Sequence, residues 1–439
     1  MNRSILQLAV PAIISNITVP LLGLVDLAIV GHMGSERYMA AVAVGSMIFN
    51  VMYWLMGFLR MSTSGLTAQA VGAKDSDAVL QQLHHSLTSA WSIALLLLVL
   101  QIPICWIGIS VMHPEASIAP LVRTYFFICI WGAPAVLSLY ALTGWFIGRQ
   151  NTRIPMVVSI FQNVLNIALS LLFVYVLKMK IEGVALGTML SSWGGALLVL
   201  RFTWKALRTD FPKNANALSS FSLRKLGGIF PRFTQTEGVL FLRTVCLVAV
   251  NLFFTAAGAW QGNLIVAVNA LLMTFFMLFS YFLDGFAYAA EALCGRYYGA
   301  GDKVMFTNVC HSLLWWGVGM IVTFTLVYAI GGIHFLSLLT NESNVIALAQ
   351  DYFPWVLLIP LTGMAAFIYD GVFIGITAGE DMLKATALST FIFFLIYYFL
   401  FPTMANHTLW LALIVYLTLR GVLLHFFLRV RLSRAFPSR

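Results

Sequence analysis

Apolar runs of about 20 residues follow one another along this chain, and each is long enough to cross the hydrocarbon core of a bilayer as a helix. Twelve such runs are legible: 5–30, 39–61, 86–111, 121–147, 154–177, 183–204, 228–254, 264–288, 312–336, 348–374, 385–402 and 408–428. Together they take up most of the 439 residues and leave no room for a sizeable soluble domain. The expected fold is an all-α membrane protein. Charged residues make up 9% of the chain and hydrophobic ones 61%, whereas a soluble domain carries about 25% charge.

The net charge of +9 would suggest nucleic acid in a soluble protein. Here the basic residues sit between the spans, and no basic, aromatic-interleaved stretch lies outside them, so nucleic acid is not an expected partner. Their distribution reports orientation instead. With a cytoplasmic N-terminus, the inner connections hold sixteen Lys and Arg, and the outer ones hold only Arg37, Lys178 and Lys180. That bias places both termini in the cytoplasm. The first run is too long and too polar at Asp26 for a cleavable leader, so none is expected. The five cysteines are scattered without metal-ligand spacing and read as buried thiols.

The polar stretch KALRTDFPKNANALSSFSLRKL, 205–226, reads as a cytoplasmic linker between two halves, 1–204 and 227–439. The halves repeat. At a constant offset of 227 residues, GWFIG at 144–148 meets GVFIG at 371–375, and Gly72-Ala73-Lys74-Asp75 meets Gly299-Ala300-Gly301-Asp302. His84 meets His311, and Glu115 meets Glu342. Six spans per half is an even number, so both halves enter from the same side. The repeats are therefore parallel, related by a pseudo-two-fold axis along the membrane normal, a recurrent transporter design.

Acids inside the spans are functional candidates, with interhelical ion pairing as the alternative. Asp26 is the only charge between Ala9 and Val30, and no base precedes it there. A carboxylate in hydrocarbon needs a proton, a partner or a watery cavity. Asp26 is thus a candidate for H⁺ or Na⁺. Asn166 and Ser170 lie four apart on one face of span five, and Thr188 lies on span six; these oxygens can complete a cation site or serve as helix–helix glue. Pro11 and Pro20 loosen the first helix. In the second half, Asp370, Asp284, Glu291 and Glu237 share the spans with Arg243 and Arg420, and part of this set is expected to pair. Nucleotide, metal and nucleophile motifs are missing, so no enzyme, no cofactor and no ATP-driven step is expected, and an ion gradient is the remaining source of energy.

The stretches NITVPLLGLVDLAIVGHMG, FLRMSTSGLTAQAVGAKD and LDGFAYAAEALCGRYYGAGD, with the GWFIG/GVFIG pair, resemble the multidrug and toxic compound extrusion (MATE) family, in its DinF-like branch. The resemblance covers nearly the whole chain. It implies two six-helix lobes in a bacterial inner membrane, a monomer, and export of organic, often cationic, compounds in exchange for H⁺ or Na⁺. The family's first-helix acid falls on Asp26 and its bendable proline on Pro20. Its helix-five Asn-x-x-x-Asp and helix-six Thr fall on Asn166, Ser170 and Thr188. Ser170 departs from that pattern, leaving one acid with three neutral oxygens. Another branch uses carboxylates on helices seven and ten, near Glu237 and Asp370, and Asp284 belongs to the DinF-like signature. The alternative is a flippase for lipid-linked precursors or other lipids, which would favour a more basic cavity.

Overall fold

The computed structural model describes residues 1–31, 36–212 and 235–435, without the side chains of 19–22, 24, 26, 27, 235 and 236. Most of the 205–226 linker lies outside the described residues. Every described element is helical. We number them α1 (Asn2–Gly31), α2 (Glu36–Gly72), α3 (Ser76–Val99 and Gln101–Met112), α4 (Ala119–Gly148), α5 (Arg153–Val176) and α6 (Ile181–Asp210). The second half holds α7 (Gln235–Trp260), α8 (Asn263–Gly299), α9 (Lys303–Leu339), α10 (Ser343–Gly375), α11 (Gly379–Met404) and α12 (Asn406–Ala435). Among the described residues, ten helices are long and apolar enough to span, and bent α3 makes eleven. With the 30-residue α1, they give the twelve spans expected.

The chain forms two compact units. One comprises Ile14–Glu237; the other comprises Gly238–Arg439 together with Met1–Ile13. The first turns of α1 therefore pack with the second half. A Cβ on Gly285 of α8 would lie 2.4 Å from Ile13 Cγ1 and 2.9 Å from the Ala9 carbonyl.

The 227-residue repeat extends to backbone detail. Asp75 caps α3 by accepting from the Ala78 amide at 2.9 Å, and Asp302 caps α9 by accepting from the Met305 amide at 2.9 Å. Left-handed residues recur at the same offset: Lys74 with Gly301, Gln150 with Thr377, and Lys178 with Ala405. Close contacts between helix backbones recur too. A Cβ on Gly148 of α4 would meet the Ser64 carbonyl of α2 at 2.6 Å, and one on Gly375 of α10 would meet the Glu291 carbonyl of α8 at 2.7 Å. Glycine at these positions lets backbones touch, which supplies association energy where lipid and side chain are equally apolar.

The repeat differs where its sequence does. α9 runs unbroken for 37 residues, whereas α3 bends by 70° between Val99 and Gln101. Pro103 lies just beyond the break; its ring clashes with the carbonyl four residues back, at Val99. The counterpart of Pro103 at the 227 offset is Ile330, which keeps the helix straight.

Gly148→Ala and Gly375→Ala each force two backbones apart and should each cost about 2 kcal/mol by overpacking, read as a lower melting temperature of the detergent-solubilised protein. Gly319→Ala and Gly331→Ala, where a Cβ meets nothing within 4 Å, should melt with the native protein. Equal melting of all four would show that the close contacts carry no packing energy.

Candidate functional site

α5 and α6 bring Asn166, Ser170 and Thr188 together. The Asn166 amide donates to Thr188 Oγ1 at 3.2 Å, and the Ser170 hydroxyl lies 3.5 Å from Asn166 Oδ1. Asn166 and Ser170 are buried. Thr188 Oγ1 donates in turn to the Val184 carbonyl at 3.1 Å. Gly187 permits the approach: a Cβ there would lie 2.7 Å from Ser170 Oγ. The hydroxyl of Ser170 thus stands where α6 has no side chain to cover it.

α1 lies alongside this group. Thr18 Oγ1 lies 3.5 Å from Ser159 Oγ of α5, and the Tyr175 hydroxyl of α5 donates to the Ile29 carbonyl at 3.5 Å. Both helices run in the same sense between these contacts. The segment 18–29 therefore faces the segment 159–175, so the backbone at position 26 is level with Asn166 and Ser170. Asp26 and Pro20 lie in α1, and their side chains are outside the described residues.

The second unit offers an internal control. The positions 227 residues after Asp26, Asn166, Ser170 and Thr188 are Phe253, Phe393, Tyr397 and Val415. Three of these four meet: the Phe253 ring lies 6.0 Å from Phe393 and 4.9 Å from Tyr397, centroid to centroid, with Phe394 at 4.8 Å. The topology therefore clusters these helix positions whatever side chains occupy them. In this unit the cluster is aromatic; in the other it holds amide and hydroxyl groups.

The second-unit acids have a different setting. Asp370 of α10 is buried, and one of its oxygens, Oδ2, accepts from both Arg243 of α7 and Arg420 of α12. Arg243 and Arg420 are buried as well. Asp284 of α8 lies within electrostatic reach of Arg243. Tyr416 flanks the group, its ring centroid 5.3 Å from the Arg420 guanidinium carbon. The expected pairing of this set is real, but its partners come from three helices rather than from one helix face. Glu237 is also buried, and His85 Nδ1 of α3 stands 4.0 Å from its carboxylate. Nothing in the sequence marked His85 as the neighbour of Glu237, 152 residues away. Glu291 is buried on α8 where that helix meets Gly375.

These two constellations differ in what they can do. Two guanidiniums on one buried carboxylate fix its position, and opening the pair strands buried charge. Neutral amide and hydroxyl oxygens take up no proton themselves, but they are the kind of donor that shares a small cation with a carboxylate.

Comparison with known proteins agrees with this architecture. The MatE family model matches residues 11–172 and 240–400, one stretch in each repeat. A second family model, Lipid II flippase MurJ, matches 123–227. DNA damage-inducible protein F of Escherichia coli K12 is 36% identical over 422 residues, covering 96% of this chain and 90% of that protein. A probable multidrug resistance protein NorM of Thermotoga maritima is 26% identical over 312 residues, covering 69% of this chain and 64% of that protein. A multidrug resistance MATE family transporter solved in an outward-facing conformation superposes with a TM-score of 0.84 at 19% identity, covering 99% of this chain and 96% of that one. On the match of its family model along both halves and its full-length relative, the chain belongs to the MatE family of membrane transporters.

Proposed function

We propose that the chain is a secondary active antiporter. It exports small organic compounds, cationic ones above all, in exchange for H⁺ or Na⁺, by alternating access of its two six-helix halves. The observation that carries this reading is the bracketing of α1 against α5. It sets the one acid of α1 level with Asn166, Ser170 and Thr188. Asp26 is then the coupling group: its carboxylate takes the proton, or shares a weakly held Na⁺ with the three oxygens. Pro20, six residues before Asp26, carries no backbone N–H to donate and provides the point at which α1 bends as the site loads and empties. Coupling requires that the cation bind the two states with different affinity; occupancy of Asp26 supplies that difference.

Asp370 is assigned no coupling role on this reading. It is the counter-ion of Arg243 and Arg420, and Asp284 belongs to the same electrostatic frame. The excess of basic residues on one side supports a cytoplasmic location for both termini, in a bacterial inner membrane, with the monomer as the working unit. The match of residues 123–227 to a lipid II flippase model supports a second reading, a lipid flippase. It covers one segment, whereas the antiporter reading draws on relatives that cover nearly the whole chain.

Reconstitution into proteoliposomes tests the assignment. An imposed proton or Na⁺ gradient should drive uptake of a fluorescent organic cation. Asp26→Asn should reduce gradient-driven uptake at least tenfold, with the protein still folded by size-exclusion chromatography. Transport by Asp26→Asn at the native rate would overturn it, and gradient-independent scrambling of a fluorescent lipid would favour the flippase.

Asp370→Asn should act on stability. Removing one partner of a buried ion pair costs about 3–5 kcal/mol, so this variant should melt well below the native protein. The fraction that folds should still take up dye with the native ion dependence. Native stability together with lost ion dependence would move coupling to the second half.

A further inference from the structure

All five cysteines are free, and two of them meet. Sγ of Cys294, on α8, lies 3.7 Å from Sγ of Cys310, on α9. Cys294 is fully buried and Cys310 is 9% exposed. The two helices are joined by a three-residue turn, Ala300–Asp302. Its amides donate to the carbonyls of Arg296, Tyr298 and Tyr297 at 3.0 Å, and Asp302 caps α9. The sulfurs are therefore held against each other by a tight hairpin. The first repeat builds the same hairpin without them, because the counterparts of Cys294 and Cys310 at the 227 offset are Thr67 and Leu83. Helix packing here does not call for thiols.

The geometry points to a reversible oxidation site, at which Cys294 and Cys310 form a disulfide when the protein meets a hydroperoxide. Cys310, the more exposed, reacts first. Its sulfur, as thiolate, attacks one peroxide oxygen; the S–O bond forms, the O–O bond breaks, and the leaving hydroxide takes up the thiol proton as water. The product is a sulfenic acid on Cys310. Cys294 then attacks that sulfur. The S–S bond forms, the S–O bond breaks, and hydroxide leaves with the Cys294 proton as a second water. Two thiols and one hydrogen peroxide give one disulfide and two waters, with two electrons passing from sulfur to peroxide. A dithiol reductant reverses the step by exchange. Hydrogen peroxide is small and uncharged, so the burial that shuts out bulky reagents admits it. The neighbouring thiol intercepts the sulfenic acid before a second peroxide can carry it to the irreversible sulfinic state. The bond staples α8 to α9 beside Gly295, whose amide nitrogen is 2.9 Å from the place a Cβ on Gly375 of α10 would take.

The test uses the full-length protein in lipid nanodiscs, exposed to hydrogen peroxide, denatured, alkylated and digested without reductant for mass spectrometry. The expected product is one cross-linked peptide joining Cys294 to Cys310, with Cys105, Cys129 and Cys246 still alkylated, and dithiothreitol should remove the cross-link. In Cys294→Ser, dimedone added together with the denaturant should trap Cys310 as its sulfenic acid. Wild-type protein whose Cys294 and Cys310 stay alkylatable, pair with other cysteines, or pass to sulfinic acid without cross-linking would overturn the proposal.

Discussion

Charge inside hydrocarbon must be neutralised or kept wet, and the rest of this structure is arranged around that requirement. The chain meets it in two ways. In one unit Asp370 is pinned by Arg243 and Arg420, drawn from α7 and α12, so that three helices are tied through a single carboxylate oxygen. In the other, the backbone of α1 carries its single acid to the level of an amide and two hydroxyls on α5 and α6. The first arrangement is stable because nothing can leave it. The second gathers neutral groups, Asn166, Ser170 and Thr188, beside the helix that carries Asp26.

The repeat sharpens this contrast. Caps, left-handed turn residues and glycine contacts recur at one offset through both halves, so the scaffold is common and only the side chains have diverged. The positions that gather Asn166 and Ser170 in one half gather Phe393 and Tyr397 in the other, with Phe253 packed against both. Conversely, the counterparts of Arg243, Asp370 and Arg420 at the 227 offset are Asn16, Thr143 and Trp193, which carry no charge. Each half thus holds one polar constellation at a place the other half leaves uncharged. A symmetric fold has been loaded asymmetrically, and the antiport proposed above assigns the static frame to one half and cation exchange to the other.

Much of this was legible in the sequence, for identifiable reasons. The spans follow from the length of the apolar runs, and the repeat follows from matched Gly, Asp, His and Glu, residues that chance seldom aligns among Leu and Val. The grouping of Asn166 with Ser170 follows from helical spacing, and Asp26 and Thr188 stand out as a lone acid and a neutral oxygen inside spans, with resemblance to a family adding the motif that links all four. The triad of Asp370 could be anticipated only as some pairing, because its members are 127 and 50 residues apart and no periodicity links them. The contact of Cys294 with Cys310 and that of His85 with Glu237 are likewise tertiary facts. The bend in α3 was within reach, since Pro103 interrupts a run that its repeat partner continues.

Infrared difference spectroscopy of the reconstituted protein tests the central claim most directly, because it sees a single carboxyl group change state. The native protein, titrated with acid and with Na⁺, should show one protonated-carboxyl band that responds to the coupling ion. The account predicts that Asp26→Asn abolishes this band and that Asp370→Asn leaves it in place. A band that survives in Asp26→Asn and vanishes in Asp370→Asn would contradict the account, and would place the exchangeable site among the arginines of the second half.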